Sequence, residues 1–312
     1  MIPGLRVGHA TDAVGLTGCT AILPDRPAVG AVQVLGRAAG VYGIEFLDPR
    51  HLAPTTHGVV LSGGSAFGLA SVWGVMQYLE ERGVGFPVGV TVVPLVAGAI
   101  IFDLGVGDHR ARPDRAMGYA AAAAALPGPV TEGNVGAGTG ATVGKLHGHD
   151  RAMRGGLGAA VAERAGVTVG AVMVVNAVGD VRDPETGRLI AGARDAPDGR
   201  RLIDTAAALR PGAPRPAFRP MHTTIGVVVT TAALTKEEAQ RVARLGAQGF
   251  ERALSPPHLD TDGDTLFCLS VGDARADVEA LGGAAAEVVA RAIARAVRAA
   301  TSLPGLPAAR DL

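Results

Sequence analysis

The amino-acid sequence predicts a layered fold of the α/β or α+β class. Three observations carry this. Hydrophobic residues make up 48% of the 312 and charged residues 19%, which is enough to bury a sizeable core and too apolar for a disordered chain. Short runs of Val, Ile and Leu bounded by Gly and Pro alternate with Ala-rich stretches of helical period. These elements interleave without the regular order of a repeating βα barrel, and no internal repeat is found. Aromatics are only 4% and there are 45 glycines, so the core must be built from Ala, Val, Leu and Ile with closely approaching backbones. The length alone suits one large domain or two modest ones.

The elements follow in chain order. Residues 5–45 alternate short apolar runs with Gly and Pro, which predicts strands and tight turns. Gly58-Val59-Val60-Leu61 is a buried strand that passes through Ser62-Gly63-Gly64-Ser65 into a helix over Ala66 to Arg82, closed by Gly83. The uncharged run Gly83 to Phe102 is long enough to test as a membrane span. Pro87, Pro94 and its glycines make it two buried strands with a turn instead. Asp114 is a candidate N-cap for an Ala-rich helix to Leu126. Gly133 to Gly144 is a glycine-dense loop ending at Lys145, and Val167 to Val175 is a central strand, apolar on both faces. Residues 182–220 are polar, turn-rich and closed by Pro211, Pro214, Pro216 and Pro220, which predicts a linker. Thr223 to Thr231 is a strongly β-branched strand, and Thr235-Lys236-Glu237-Glu238 is a capping box opening a helix to about Leu254. Thr265 to Ser270 is a further strand, and Ala284 to Ala300 a final amphipathic helix.

Lys+Arg and Asp+Glu are both 29, so a globally basic nucleic-acid binder is not expected. The two cysteines, Cys19 and Cys268, form no CxxC or Cys/His cluster, which argues against a zinc site or a disulfide framework. The first residues, MIPGLRVGHATD, lack the pattern of a signal peptide. The expectation is a cytoplasmic protein without a nucleic-acid or membrane partner.

Several motifs fail on inspection. Gly136-Ala137-Gly138-Thr139-Gly140-Ala141 satisfies the dinucleotide pattern formally, but no clean strand precedes it. A Walker A reading of Gly138 to Gly144 has one residue too many, and Lys145 is followed by Leu146 rather than Ser or Thr. Ser65 sits between strand and helix as a nucleophile elbow would, yet Phe67 stands where the last Gly belongs. Asp260-Thr261-Asp262-Gly263-Asp264 is no calcium loop, because Thr265 and Val271 occupy the required Gly and Glu positions.

Two features remain. Asp262 and Asp264, if they enter the strand at Thr265, share one face; two carboxylates so placed repel, and one pKa should rise. Thr223 opens a strand directly after the proline cluster. Its hydroxyl becomes a competent nucleophile if its own α-amino group is freed, since that amine titrates at roughly 7.7–8 and can accept the hydroxyl proton. That requires the His222–Thr223 bond to be cut.

Taken together, the blocks of this chain resemble the DmpA-type peptidases, especially the nylon-oligomer hydrolase (NylC) branch. The resemblance runs over nearly the whole length. It includes Gly4 to His9, Thr17 to Thr20, Leu61 to Leu69, Gly133 to Thr142, Val175 to Gly179, Thr223-Thr224-Ile225 and Asp262 to Phe267. It implies a single domain with a four-layer αββα sandwich of the N-terminal-nucleophile hydrolase kind. It also implies a precursor that cuts itself once, here into fragments 1–222 and 223–312. Carried over by position, Thr223 is the nucleophile, Lys145 lies in the catalytic site, Asn176 donates to the substrate carbonyl oxygen, and Asp262 and Asp264 support the nucleophile. Aminopeptidases of the same family that use Ser as nucleophile carry Ser and Glu at the last two positions. The implied activity is hydrolysis of short peptides, amino-acid amides or aminohexanoate oligomers without metal or cofactor, in a homo-oligomer, by resemblance a tetramer of cleaved units. Two positions depart from the pattern. His222 precedes the nucleophile where relatives carry Asn or Gly, and Phe102 stands where relatives carry a Tyr, removing a hydroxyl donor near the pocket. Two alternatives stay open: an uncut binding protein that keeps the fold, and a hydrolase dependent on Ser65.

Overall fold

The computed structural model describes residues 2–164, 166–210 and 222–312. Two five-stranded sheets stack face to face. The first has the order Leu5–Asp12, Thr17–Pro24, Gly58–Ser62, Val96–Ile100, Val41–Tyr42. The second has the order Gly156–Arg164, Val167–Asn176, Thr223–Ala232, Thr265–Ala274, Val29–Val34. Each contains one parallel pair: Gly58–Ser62 with Val96–Ile100, and Thr223–Ala232 with Thr265–Ala274.

The period of two along a strand sorts its side chains between layers. In the strand Thr223–Ala232, Ile225, Val227 and Val229 pack between the sheets with Val172, Val174 and Phe267, against Ile22, Val59 and Leu61 of the first sheet. Val228 points the other way, into a core with Val242, Phe250, Val289 and Ile293 of the covering helices Lys236–Gly246, Gln248–Ala253 and Val278–Ala299. Helices Ala70–Glu80 and Arg115–Ala123 cover the outer face of the first sheet through Val72, Val75, Leu79, Ala121 and Ala122. The result is the expected αββα sandwich. Glycine permits its tightest contact: a Cβ on Gly74 would lie 1.9 Å from the Arg115 carbonyl oxygen, and one on Gly118 1.9 Å from that of Ser71. The two helix backbones therefore touch.

The local signals act as their chemistry dictates. Asp114 accepts from the Met117 N–H at 2.8 Å, and the Thr235/Glu238 capping box forms in both directions. Elsewhere the structure departs from expectation for identifiable reasons. Gly64 and Ser65 adopt φ of +77° and +55°, so a 3-10 turn, Ser65–Leu69, precedes the helix proper, which begins at Ala70. The helix expected to reach Leu254 is interrupted at Ala247 and resumes as Gln248–Ala253. The last helix starts at Val278, not Ala284, because Asp277 caps it by accepting from Ala280 N–H at 2.8 Å. Only Val96–Ile100 of the Gly83–Phe102 run is a buried strand; Phe86–Pro87 and Val92–Val93 form a small hairpin with Val90 at its exposed tip. The first part of the expected linker is ordered. The strands Asp180–Arg182 and Leu189–Ala191 and the short helix Thr205–Ala208 are tied by the buried Asp180 carboxylate, which accepts from Ala193 N–H at 2.9 Å and Thr205 Oγ1–H at 2.7 Å. Its proline cluster, Pro211, Pro214, Pro216 and Pro220, lies outside the described residues. The edge strand Gly156–Arg164, rich in Gly and Ala, gave no β-branched signal in the sequence. Among the described residues no helix is long and apolar enough to cross a membrane.

Candidate active site

The second sheet brings the expected residues together at one end. The strands Val167–Asn176 and Thr223–Ala232 run antiparallel with Asn176 opposite Thr223, so the last residue of one faces the first of the other. The strand Thr265–Ala274 runs parallel to Thr223–Ala232, which delivers the residues just before it, Asp262 to Asp264, to the same end. A parallel bridge between His222 and Asp262 extends this pairing past Thr223. Asp262 and Asp264 therefore precede the strand rather than entering it. Their hydrogen-bond partners differ, and burial and then the Asp264 charge raise the Asp262 carboxyl, the latter as expected of two neighbouring carboxylates.

Lys145 reaches the same place from the glycine loop. Its Nζ donates to the carbonyl oxygens of Thr142 at 2.9 Å and Asn176 at 2.8 Å, and to Asn176 Oδ1 at 2.8 Å. An ammonium has three donors, and here each has an acceptor. Burial pushes the amine down to about 7, against the pull of the Asp262 and Asp103 charges, which favour the ammonium. Asn176 is fixed at both ends of its amide. Oδ1 also accepts from Thr142 N–H at 3.0 Å, and Nδ2 donates to the Phe102 carbonyl oxygen at 3.0 Å. One amide hydrogen of Asn176 is thereby committed, and no hydrogen bond of the described residues takes the other.

The two aspartates have unequal surroundings. Asp264 accepts from Thr224 N–H at 2.6 Å on one oxygen, and from His258 N–H at 3.2 Å and His258 Nδ1 at 2.8 Å on the other. Asp262 accepts from Leu259 N–H at 2.7 Å on Oδ2, while its buried Oδ1 has no hydrogen-bond partner among the described residues. Burial, then the Asp264 charge, push the Asp262 carboxyl well above the usual carboxylate range; Lys145 pulls the other way. Asp262 is therefore the member of the pair suited to take up a proton.

The His222–Thr223 bond is itself held by this segment. The His222 carbonyl oxygen accepts from Gly263 N–H at 2.8 Å, and His222 N–H donates to Thr261 O at 3.2 Å. A Cβ on Gly263 would lie 2.9 Å from Thr223 Oγ1 and 2.7 Å from the Ala38 carbonyl oxygen, so only glycine fits between them. Thr223 is 1% exposed. Cavities of about 590 Å³ beside Gln77 and Tyr119, about 500 Å³ beside Tyr42 and Met76, and about 410 Å³ beside His149 and Leu306 do not include it.

Phe102 and Ser65 stand on the first-sheet side. Phe102, half-buried, joins the cluster through its carbonyl oxygen. Ser65 is tied to the same segment by its N–H on Ile101 O at 3.0 Å, and its left-handed φ of +55° is the strained geometry of a tight strand-to-helix turn. No hydrogen bond of the described residues links it to the Thr223 cluster. Sequence reasoning missed His258, Asp103 and the Gly263 N–H. Asp103 accepts from Gly64 N–H at 2.6 Å and Thr17 Oγ1–H at 2.7 Å and adds a buried negative charge near Lys145. Its place beside Phe102 was the available signal, whereas a backbone N–H leaves none.

The raised Asp262 carboxyl has a stability consequence with a definite sign. Between the unfolded carboxyl value, near 3.9, and the higher folded value, the native chain holds a proton that the unfolded chain has lost. Stability therefore falls as pH rises through that window. Asp262→Asn removes the burden, so its melting temperature at neutral pH is expected to equal or exceed that of the parent while amide hydrolysis drops. Calorimetry at pH 5 and pH 8 checks this: the difference between variant and parent should be larger at the higher pH.

The model of peptidase family S58 matches residues 2–310. The chain is 38% identical to an uncharacterized aminopeptidase of Mycobacterium tuberculosis, over 100% of this chain and 96% of that protein. It is 32% identical to the 6-aminohexanoate-oligomer endohydrolase of Kocuria sp., over 95% of this chain and 84% of the relative. Among solved structures it resembles the L-aminopeptidase D-Ala-esterase/amidase of Ochrobactrum anthropi, described as a variant of the Ntn hydrolase fold. The TM-score is 0.73 at 20% identity, covering 96% of this chain and 85% of that one. A beta-aminopeptidase of Burkholderia sp. gives a TM-score of 0.70 at 22% identity, again over 96% and 85% of the two chains. The chain thus belongs to peptidase family S58, with the Ntn-hydrolase fold, and is a hydrolase of amide or peptide bonds.

Proposed function

We propose that this chain is a self-processing amidase whose nucleophile is Thr223. The observation that carries this reading is the convergence of Thr223, Asn176, Lys145 and Asp262 at one sheet end, with the carbonyl of the preceding peptide bond resting on the Gly263 N–H.

Self-cleavage begins with Thr223 Oγ1 attacking the His222 carbonyl carbon. The Oγ1–C bond forms, and the hydroxyl proton passes to the open Asp262 carboxylate oxygen. Charge on the carbonyl oxygen is met by Gly263 N–H; one such donor is typically worth roughly 3–4 kcal/mol in the barrier. The C–N bond breaks as the Thr223 nitrogen takes a proton, leaving an ester. Water hydrolyses the ester to a His222 carboxylate and a free Thr223 amine.

In turnover the freed amine accepts the Oγ1 proton while Oγ1 attacks an amide carbonyl. The second Asn176 amide hydrogen stabilises the oxyanion. The leaving amine takes the proton and departs, and water releases the acid product from the acyl-enzyme. Its relatives, an aminopeptidase and a 6-aminohexanoate-oligomer endohydrolase, point to short peptides, amino-acid amides or linear aminohexanoate oligomers as substrates. A panel of these three classes tested on protein cut before Thr223 checks the reading. Hydrolysis of at least one class is expected; inertness toward all three would contradict it.

A further inference from the structure

His258 lies in the loop between the short strand Leu254–Ser255 and the strand Thr265–Ala274. It adopts a φ of +54°, a left-handed conformation that non-glycine residues rarely hold. A costly backbone geometry persists where the surroundings impose it. Here it aims two donors of one residue at one oxygen: His258 N–H and Nδ1 meet Asp264 Oδ2 at 3.2 Å and 2.8 Å. Facing a carboxylate, Nδ1 must carry the hydrogen. The ring is packed against the fully buried Phe250, with centroids 5.4 Å apart, and is mostly shielded.

The other oxygen of Asp264 accepts from Thr224 N–H at 2.6 Å, the amide next to the nucleophile. The carboxylate is thus a bridge with His258 on one side and the start of the nucleophile strand on the other. The following residue of the loop, Leu259, donates to Asp262 at 2.7 Å, so one short stretch sets both aspartates. Removing the Nδ1 donor takes the shorter of the two bonds from that oxygen and leaves only His258 N–H at 3.2 Å, which loosens the carboxylate that anchors Thr224 N–H beside the nucleophile.

We infer that His258 is a positioning residue for both self-cleavage and turnover, acting through Asp264 on the Thr223–Thr224 backbone. This rests on the reading of Thr223 as nucleophile. The geometry of position 258 supplies unusually clean variants. Asn tolerates the left-handed conformation and carries an amide N–H where the His Nδ1 donor stands. Asp has the same shape but cannot donate when ionised. Gly relieves the backbone and removes the side chain.

The test compares His258→Asn, His258→Asp and His258→Gly with the parent. Intact mass follows the appearance of a fragment beginning at Thr223, and kcat and KM are measured on the processed protein with an amide that the parent hydrolyses. A misplacement of about 1 Å at a reacting group typically costs on the order of 10²-fold. His258→Gly and His258→Asp are expected to lose roughly that factor in kcat and in processing rate, with KM within about twofold, and His258→Asn to recover most of it. A merely structural loop residue would instead be satisfied by Gly. Should the Gly variant fail to fold, His258→Ala takes its place against His258→Asn, because Ala lacks the donor without adding the negative charge that Asp sets beside Asp264. Parent-like kcat in His258→Gly or His258→Asp, or Asn no faster than Asp, overturns the inference. Thr223→Ala is run alongside. If it is inert, such a result falls on His258 alone; if it hydrolyses the amide normally, both the nucleophile and the His258 role are overturned.

Discussion

Thr223→Ala is expected to stay a single chain and to hydrolyse no amide above background. The substitution deletes the protein atom proposed to attack carbon in both reactions, and losses for a removed nucleophile are on the order of 10⁶-fold. Stability should change little by comparison. Thr223 sits at the start of its strand, and deleting one buried hydroxyl and one methyl costs about 1–2 kcal/mol, a small share of a fold this size. Thr223→Ser keeps the oxygen and the amine, so it should retain both processing and turnover at a reduced rate. Denaturing electrophoresis and initial rates read both outcomes from one preparation. A Thr223→Ala protein that turns over amides normally would move the nucleophile elsewhere, with Ser65 the first place to look.

The second large effect is expected at Lys145. Lys145→Met preserves most of the volume but removes the cation that binds Asn176 Oδ1 and faces Asp262. Asn176 then loses one restraint on its amide, and Asp262 loses the charge that opposes its neutralisation. Loss of a comparable preorganised electrostatic contact costs 10²–10³-fold in kcat, and about that is expected here. Stability need not follow activity, because replacing a buried cation with an apolar side chain is often neutral or favourable. The pH dependence has a sign. The folded amine titrates at about 7, below its ordinary value of 10.5. Between those values the unfolded chain holds a proton that the native chain has lost, so this group makes stability rise with pH across that window. The rise should be absent in Lys145→Met. A melting profile of the variant that keeps the parent's slope above pH 7 would contradict the burial argument.

Much of the scaffold was legible in the sequence because its signals are local. The β-branched run from Thr223 fixes a strand by its own sterics, and Asp114 and the Thr235/Glu238 box mark helix starts through side chains that bond their own turn. The candidate site was legible only in its residue types and through the family resemblance. Lys145 and Asn176 lie 31 positions apart and meet because a loop carbonyl ladder folds back, with Lys145 N–H on Val178 O at 2.9 Å. No periodicity announces that contact. The unequal roles of Asp262 and Asp264 come from the loop before them, where His258 and Leu259 distribute their donors. The contribution of Gly263 is a backbone N–H together with the absence of a side chain, and neither has a signature of its own. The expected linker misled because polar, turn-rich composition also describes short strands gathered around a buried carboxylate such as Asp180.

The most direct test of the central proposal is N-terminal sequencing with intact mass on the purified protein. The expected result is two sequences, one from the start of the chain and one reading Thr-Thr-Ile-Gly from Thr223. A preparation that hydrolyses peptides or oligoamides while yielding only the uncut chain would contradict it.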